Sequence, residues 1–224
     1  MGRCNRAAFG LERCLLGLTL VIGDKRWSSW SLRPWLALKQ AGIPFEERSI
    51  ALRRPDTRAR ILEYSPAGKV PVLLDGDDWV WGSLAILDYL AARFPEAGLW
   101  PRERSAYALA LSISAEMHSG FPAVRAELGM NVIQKFPTPD LSDAAKAECR
   151  RIQDMWRDAR ERFGGAGPFL FGRFSNADAM YAPVATRFQT YNIELESVCR
   201  DYVDAILALP AMAEWYRAAG EEES

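Results

Sequence analysis

Apolar and polar residues alternate with two distinct periods along the N-terminal part of the chain. The run LTLVIG, from Leu18 to Gly23, predicts a short strand, and Ser31 to Ala41 places Trp35, Leu36, Leu38 and Ala41 on one helical face. Ser31 is a natural N-cap for that helix and Pro34 suits its first turn, so Ser28 and Ser29 are expected in the loop before it. Gly42-Ile43-Pro44 ends the helix, and FEERSI (45–50) reads as a half-exposed strand. DTRARILEY (56–64) is a short polar helix that stops before Ser65-Pro66, because a residue preceding proline avoids the helical region. KVPVLLD, the turn Gly76-Asp77-Asp78 and WVW predict a hairpin, and SLAILDYLAARF an amphipathic helix beginning at Ser83. The order β-α-β-α-β-β-α requires a mixed sheet covered by helices.

Beyond FPEAGLWPRERS, the pattern is helical throughout. Ala106–Leu128 and Ala144–Phe163 are long periodic segments, joined by the proline-rich KFPTPDLS, with a kink expected at Pro122. Gly164 to Gly172 is a glycine-rich loop, and SNAD then opens a buried helix, AMYAPVATRFQTY. Ser175 and Asp178 have capping-box spacing, where loss of the cap costs about 1 kcal/mol. LPAMAEWYRAA closes the helical part, and the tail GEEES reads as disordered. The division is an extension over 1–17, an α/β domain over 18–95, a linker over 96–103 and an all-α domain over 104–220.

Composition narrows the function classes. The chain has 224 residues, 49% hydrophobic and 25% charged, with a formal net charge of −1, so nothing marks it for nucleic acid or an anionic membrane surface. Cys4, Cys14, Cys149 and Cys199 form no C-x-x-C pair, and a single histidine leaves too few nitrogen ligands for a zinc site. A reducing compartment, the cytoplasm, fits. The first residues lack the long apolar core and cleavage site of an export signal, and no run is long enough to span a bilayer.

The stretch RWSSWSLRPWLAL carries the chemistry. Ser28 and Ser29 stand beside unpaired backbone N–H groups at the positive end of a helix dipole, a setting suited to an anion. The alternative is that both hydroxyls only cap loop N–H groups. A serine nucleophile is the weaker reading, since there is no G-x-S-x-G elbow and His118 falls in a distant helix.

SSWSLRPWLAL, SPAGKVPVLLDGD, SLAILDYLAARFP and SNADAMYAP, in this order, resemble the cytosolic glutathione S-transferase family over about Leu18 to Ala219. The serine pair is most similar to the Zeta class and related bacterial transferases, with Trp30 where that pattern has cysteine. The resemblance implies a thioredoxin-like N-terminal domain that holds glutathione as co-substrate, with no metal, and a helical bundle domain that lends a pocket for a small electrophile. It also implies a homodimer.

Residue by residue, the resemblance implies that Ser28, and next Ser29, lowers the glutathione thiol pKa by hydrogen bonding to the thiolate. Val70-Pro71 would be the family's cis dipeptide, with Val70 pairing the glutathione main chain; a trans proline at a strand edge is the alternative. Ser83 would take the γ-glutamyl carboxylate or serve as a plain N-cap, and Lys69 would meet the glycine carboxylate or stay solvated. Gly82 departs from the family, which usually has an acidic residue or glutamine there to pair with glutathione. Trp27, Trp30, His118, Phe121 and Arg125 are the second-substrate candidates. Arg125 suits an acidic substrate or an interhelical salt bridge, His118 is more often a packed residue, and the tryptophans line the pocket or fill the core, with Trp35 expected inside and Trp27 near the mouth. Arg33 is expected to pair internally. The implied activity is thiolate addition to an electrophile or Zeta-like cis-trans isomerisation. Gly82 keeps open a second reading, a non-catalytic binding or scaffold protein of the same fold.

Overall fold

The computed structural model describes residues 17–165 and 167–222. The extension expected over 1–17, with Cys4 and Cys14, lies outside the described residues except for Gly17. The N-terminal half runs β1 (Leu18–Gly23), α1 (Ser29–Gln40), β2 (Phe45–Ile50), α2 (Thr57–Leu62), β3 (Val72–Asp75), β4 (Asp78–Trp81) and α3 (Ser83–Arg93). Strand order is β2-β1-β3-β4, with β1 parallel to β2 and the other pairs antiparallel, which is the mixed sheet that the element order requires. Strand β1 is central and buried along its length, so both of its faces are apolar. Leu18, Leu20 and Ile22 join Leu32, Trp35 and Leu36 of α1 and Ile86, Leu87 and Leu90 of α3 on one face. Val21 joins Val72, Leu74, Ile50 and Ile61 on the other, under α2. Strand β2 is at the sheet edge, which explains its polar sequence.

The helical half contains α4 (Arg104–Ser119), α5 (Pro122–Glu127), α6 (Asp143–Ala159), α7 (Asn176–Thr190), α8 (Ser197–Leu207) and α9 (Pro210–Glu221). One kinked helix was expected over 106–128, but the chain breaks fully: Phe121 takes a left-handed φ of 61° and Pro122 starts α5. Proline has no N–H for a continuing ladder and fits a first helical position instead. Helix α6 ends in a π-helical turn, Arg160–Gly164. Helix α7 is buried over almost its whole length and packs against α1, α4 and α8. The capping box is present: the Asp178 carboxylate accepts from Ser175 N–H at 2.8 Å and from Leu170 N–H at 3.1 Å.

The described part of the tail corrects a second expectation, while Glu223 and Ser224 lie outside the described residues. Gly220 and Glu221 complete α9 instead of being disordered, and the Glu222 carboxylate accepts the N–H groups of Lys25 at 2.6 Å and Arg26 at 3.1 Å. Trp215 on the same helix donates to the Lys25 carbonyl at 2.9 Å and packs edge-on to Trp35. The buried indole brings the end of α9 to two amides in need of an acceptor.

Burial pushes the Asp178 carboxyl up to about 6 from 3.8, against the donors that face it. The folded chain therefore holds this proton more tightly than the unfolded one, so its contribution to stability is full below about pH 4 and is lost as pH rises through about 6. The stability advantage of the parent over Asp178→Asn is expected to shrink by about 2–3 kcal/mol between pH 4 and 7. Urea unfolding of both proteins across that range checks this, and a constant difference would contradict it.

Candidate functional site

The β1–α1 turn shapes the site. After Gly23, the Asp24 carbonyl accepts from Trp27 N–H at 3.2 Å and Ser28 N–H at 2.8 Å, closing a tight turn into α1. The N-cap is Ser28, not Ser31 as expected; its Oγ accepts from Ser31 N–H at 3.3 Å, and Ser29 is already the first helical residue. Ser28 wins the cap because the turn places its oxygen over the first unpaired N–H groups, while Ser31 lies one turn in. Ser31 Oγ is 2.7 Å from Ser28 Oγ and accepts from Gly23 N–H at 3.1 Å. With Ser31 donating to Ser28, the hydroxyls form a chain that starts at the Gly23 amide and leaves the Ser28 proton for an outside acceptor.

Cations gather behind this helix start. Arg187 of α7 donates to Ser29 Oγ at 3.3 Å, to the Leu128 carbonyl and, at 3.5 Å, to the Arg125 carbonyl. Arg33 has no exposed surface; its Nη1 donates to Ser83 Oγ at 3.2 Å, while Nε and Nη2 have no hydrogen-bond partner among the described residues. The Arg33 and Arg125 guanidiniums lie 4.4 and 4.9 Å from the Trp30 ring centre, and His118 meets that ring edge-on at 5.2 Å. Arg125 itself donates to the carbonyls of Gly120 and Met117. Among the described residues, none of these three arginines hydrogen-bonds or ion-pairs to a carboxylate. Glu148, the acid whose charge favours the Arg125 cation, is hydrogen-bonded to Ala123 and Val124 N–H.

Titration follows from burial and like charge. Burial, then Arg125 and Arg187, holds Arg33 well below the usual guanidinium range; burial and Arg125 bring Arg187 down to about 10. Burial, then Arg33 and Arg125, lowers His118, so its neutral ring is favoured there. The Cys149 and Cys199 thiols are buried and pushed up to about 11 and 12, which removes them as nucleophiles.

The structure brings together Ser28, Ser29, Trp30, His118 and Arg125, with Phe121 buried at the α4–α5 break. Ser83 is buried at the start of α3, and its oxygen accepts from Arg33, so its own proton remains available. The Val70-Pro71 bond is cis; Lys69 beside it is exposed. Gly82 is the N-cap of α3 at φ +88°, with nothing within 4 Å of an added Cβ. Of the acids near it in sequence, Asp75 is bound to Tyr89 and Arg93, and Asp77 and Asp88 are exposed. Trp35 is in the core as expected, and half-buried Trp27 stacks under Arg53 and Arg26. Arg33 does pair internally, with Ser83 and the Trp30 face. Sequence reasoning missed Arg187; the signal was an arginine closely following the apolar run AMYAPVA of α7.

Comparison with known proteins agrees with the fold. The profile "Glutathione S-transferase, N-terminal domain" matches residues 27–93, and "Glutathione S-transferase, C-terminal domain" matches residues 139–218. A Caenorhabditis elegans "Probable maleylacetoacetate isomerase" is 33% identical over 92 residues, 41% of this chain and 42% of the relative. "Glutathione S-transferase zeta class" of Euphorbia esula is 26% identical over 158 residues, 69% of this chain and 66% of the relative. The chain thus spans less than two thirds of the length of either. A sphingomonad glutathione S-transferase, solved as a complex with glutathione, is 26% identical with a TM-score of 0.61, covering 91% of this chain and 100% of that one. A glutathione transferase homolog from Burkholderia GL BGR1, solved with bound glutathione, is 22% identical with a TM-score of 0.69, covering 92% and 100%, and shows the shared fold. With one profile on each half of the chain and the same fold in solved relatives, this chain belongs to the glutathione S-transferase family.

Proposed function

We propose that the chain is a glutathione-dependent transferase or isomerase that holds the glutathione thiolate at the N-terminus of α1. The observation that carries this reading is the hydrogen-bonded chain of the Gly23 amide, Ser31 and Ser28 at the start of α1, with Ser29 backed by Arg187. A free thiol has a pKa of about 8.5, so few molecules are nucleophilic at neutral pH; hydroxyl donors, the helix N-terminus and nearby cations favour the anion. In this reading the main chain of Val70, beside Pro71, pairs with the glutathione backbone, and Lys69 meets its glycine carboxylate. The γ-glutamyl carboxylate lies toward the N-terminus of α3, where Ser83 is backed by the Arg33 cation. Gly82 offers the ammonium no partner, which weakens binding by roughly 1.5–3 kcal/mol relative to a charged hydrogen bond.

The thiolate sulfur then forms a bond to the electrophilic carbon, whose electrons move to a leaving group or along a conjugated system. In isomerisation the same bond breaks again after rotation about the former double bond, returning the thiolate. Trp30, His118, Phe121 and Arg125 form the second pocket, with Trp27 toward its mouth. Its cations, without carboxylate partners, suit an electrophile that carries a carboxylate. A purely structural scaffold is disfavoured by this arrangement, since a buried guanidinium bonded to a serine and not to a carboxylate is costly in a protein with no anion to bind. The unpaired Cys149 and Cys199 thiols support a cytoplasmic setting. Exposed Tyr107 and Leu111, one turn apart on α4, support a homodimer through that helix.

Titration calorimetry is expected to detect glutathione at micromolar to millimolar affinity; no heat at ~10 mM glutathione would refute the reading. Ser28→Ala is expected to lower stability by about 1 kcal/mol, because the α1 cap is lost. It is also expected to slow conjugation at neutral pH by tenfold to hundredfold, about 1.4–2.7 kcal/mol, with partial recovery toward the pKa of the free thiol. Ser29→Ala should lose less; an unshifted pH–rate profile in both variants would remove the serines from catalysis. Arg125→Met is expected to raise KM for a carboxylated electrophile by about tenfold and to spare an uncharged one. Equal effects on both would contradict an anionic substrate. Light scattering should show a species of twice 25.1 kDa.

A further inference from the structure

The turn before Ser28 has four successive N–H groups to satisfy. Those of Trp27 and Ser28 return to the Asp24 carbonyl, but those of Lys25 and Arg26 have no acceptor within the turn. Both are taken by one carboxylate from the far end of the chain: Glu222 Oε1 accepts from Lys25 N–H at 2.6 Å and Oε2 from Arg26 N–H at 3.1 Å. The same peptide unit is held from its other side, where Trp215 Nε1 donates to the Lys25 carbonyl at 2.9 Å. Trp215 is fully buried against Trp35 of α1, and the Lys25 ammonium pairs with Glu47 while lying 5.4 Å from the Trp215 ring centre. Asp24 is fixed in turn by Leu52 N–H at 2.8 Å.

We infer that Glu222 is a positioning residue for thiolate chemistry: its carboxylate locks the β1–α1 turn and so sets where Ser28 and Ser29 present their protons. The inference rests on the proposed function, because it gives the latch a chemical purpose. Only Trp27 separates Arg26 from Ser28, so rotation of the Lys25 or Arg26 peptide carries directly into the cap. A hydrogen-bond donor to an anion acts only within a few tenths of an ångström of its productive place, and the turn alone leaves two peptide units free to swing. Helix α9 therefore serves the site without touching the substrate. A bidentate carboxylate suits the task because it satisfies two adjacent amides at once with charge-assisted bonds.

The test compares Glu222→Ala, Glu222→Asp and Glu222→Gln with Glu221→Gln, a change at the exposed neighbouring acid, in the full chain. Amide hydrogen exchange on the free protein reads the latch itself. In Glu222→Ala the amides of Lys25, Arg26 and Ser28 should exchange at least about tenfold faster, with the core strands unchanged. With glutathione and a generic electrophile, kcat at neutral pH should fall by about tenfold, KM for glutathione should stay within about twofold, and the pH–rate profile should shift upward. Glu222→Gln and Glu222→Asp should recover part of the rate, and Glu221→Gln should match the parent. Trp215→Phe, which removes the second hold and leaves the carboxylate in place, should shift the profile in the same direction.

Unchanged exchange at Lys25 and Arg26 in Glu222→Ala would overturn the latch. Faster exchange with kcat and pH profile unchanged in an active parent would overturn the positioning role and leave only a structural tie. A parent with no thiolate chemistry, in which exchange still rises, would overturn the proposed function while the latch remains.

Discussion

Helix α1 begins with backbone N–H groups that no carbonyl of the same helix can accept, and the way the chain satisfies them governs the site. The Ser28 oxygen takes the Ser31 amide, Ser31 Oγ takes the Gly23 amide, and the two hydroxyls lean on one another at 2.7 Å. One small network thus ties the end of the central strand to the start of the central helix. Because β1 and α1 are almost entirely buried, neither end can drift without disturbing the core that they share. With Ser31 donating to Ser28, the Ser28 proton at the outer end of the network is the one that the fold itself does not consume.

The cations add a second constraint. Removing a guanidinium from water costs several kcal/mol after relaxation, and among the described residues Arg33 recovers one hydrogen bond and the face of Trp30. Beyond burial, the like charge of Arg125 and Arg187 lowers Arg33, and that of Arg125 lowers Arg187. Such a group is stabilised most by an anion entering beside it. The protein keeps a preformed positive field where a thiolate and the carboxylates of glutathione would bring negative charge, and a neutral His118 at its edge adds none of its own.

Much of the fold was legible because strand and helix periods are strong in this chain: LTLVIG, FEERSI and VLLD became β1, β2 and β3, and the Ser175–Asp178 spacing marked the start of α7. The cis Val70-Pro71 bond was legible through the family resemblance, and the position of the serine pair at the start of α1 through local sequence. The α1 cap was misplaced by one turn, because three serines in four residues are chemically equal until the turn at Asp24 decides which oxygen lies over the amides. Arg187 and Glu222 were not legible. Their partners, Ser29 and the Lys25–Arg26 amides, lie 158 and 196 or more residues away in sequence, and only the packing of α7 and α9 on α1 brings them together. The tail GEEES looked disordered by composition alone, yet one of its carboxylates closes the turn beside the site.

The central claim is that this helix start holds a thiolate. Its most direct measurement is the ultraviolet thiolate absorbance of glutathione bound to the parent protein, titrated with pH. The account predicts a bound-thiol pKa at least about one unit below the free value of about 8.5, a stabilisation of about 1.4 kcal/mol or more. Bound glutathione that ionises at the same pH as free glutathione would contradict it.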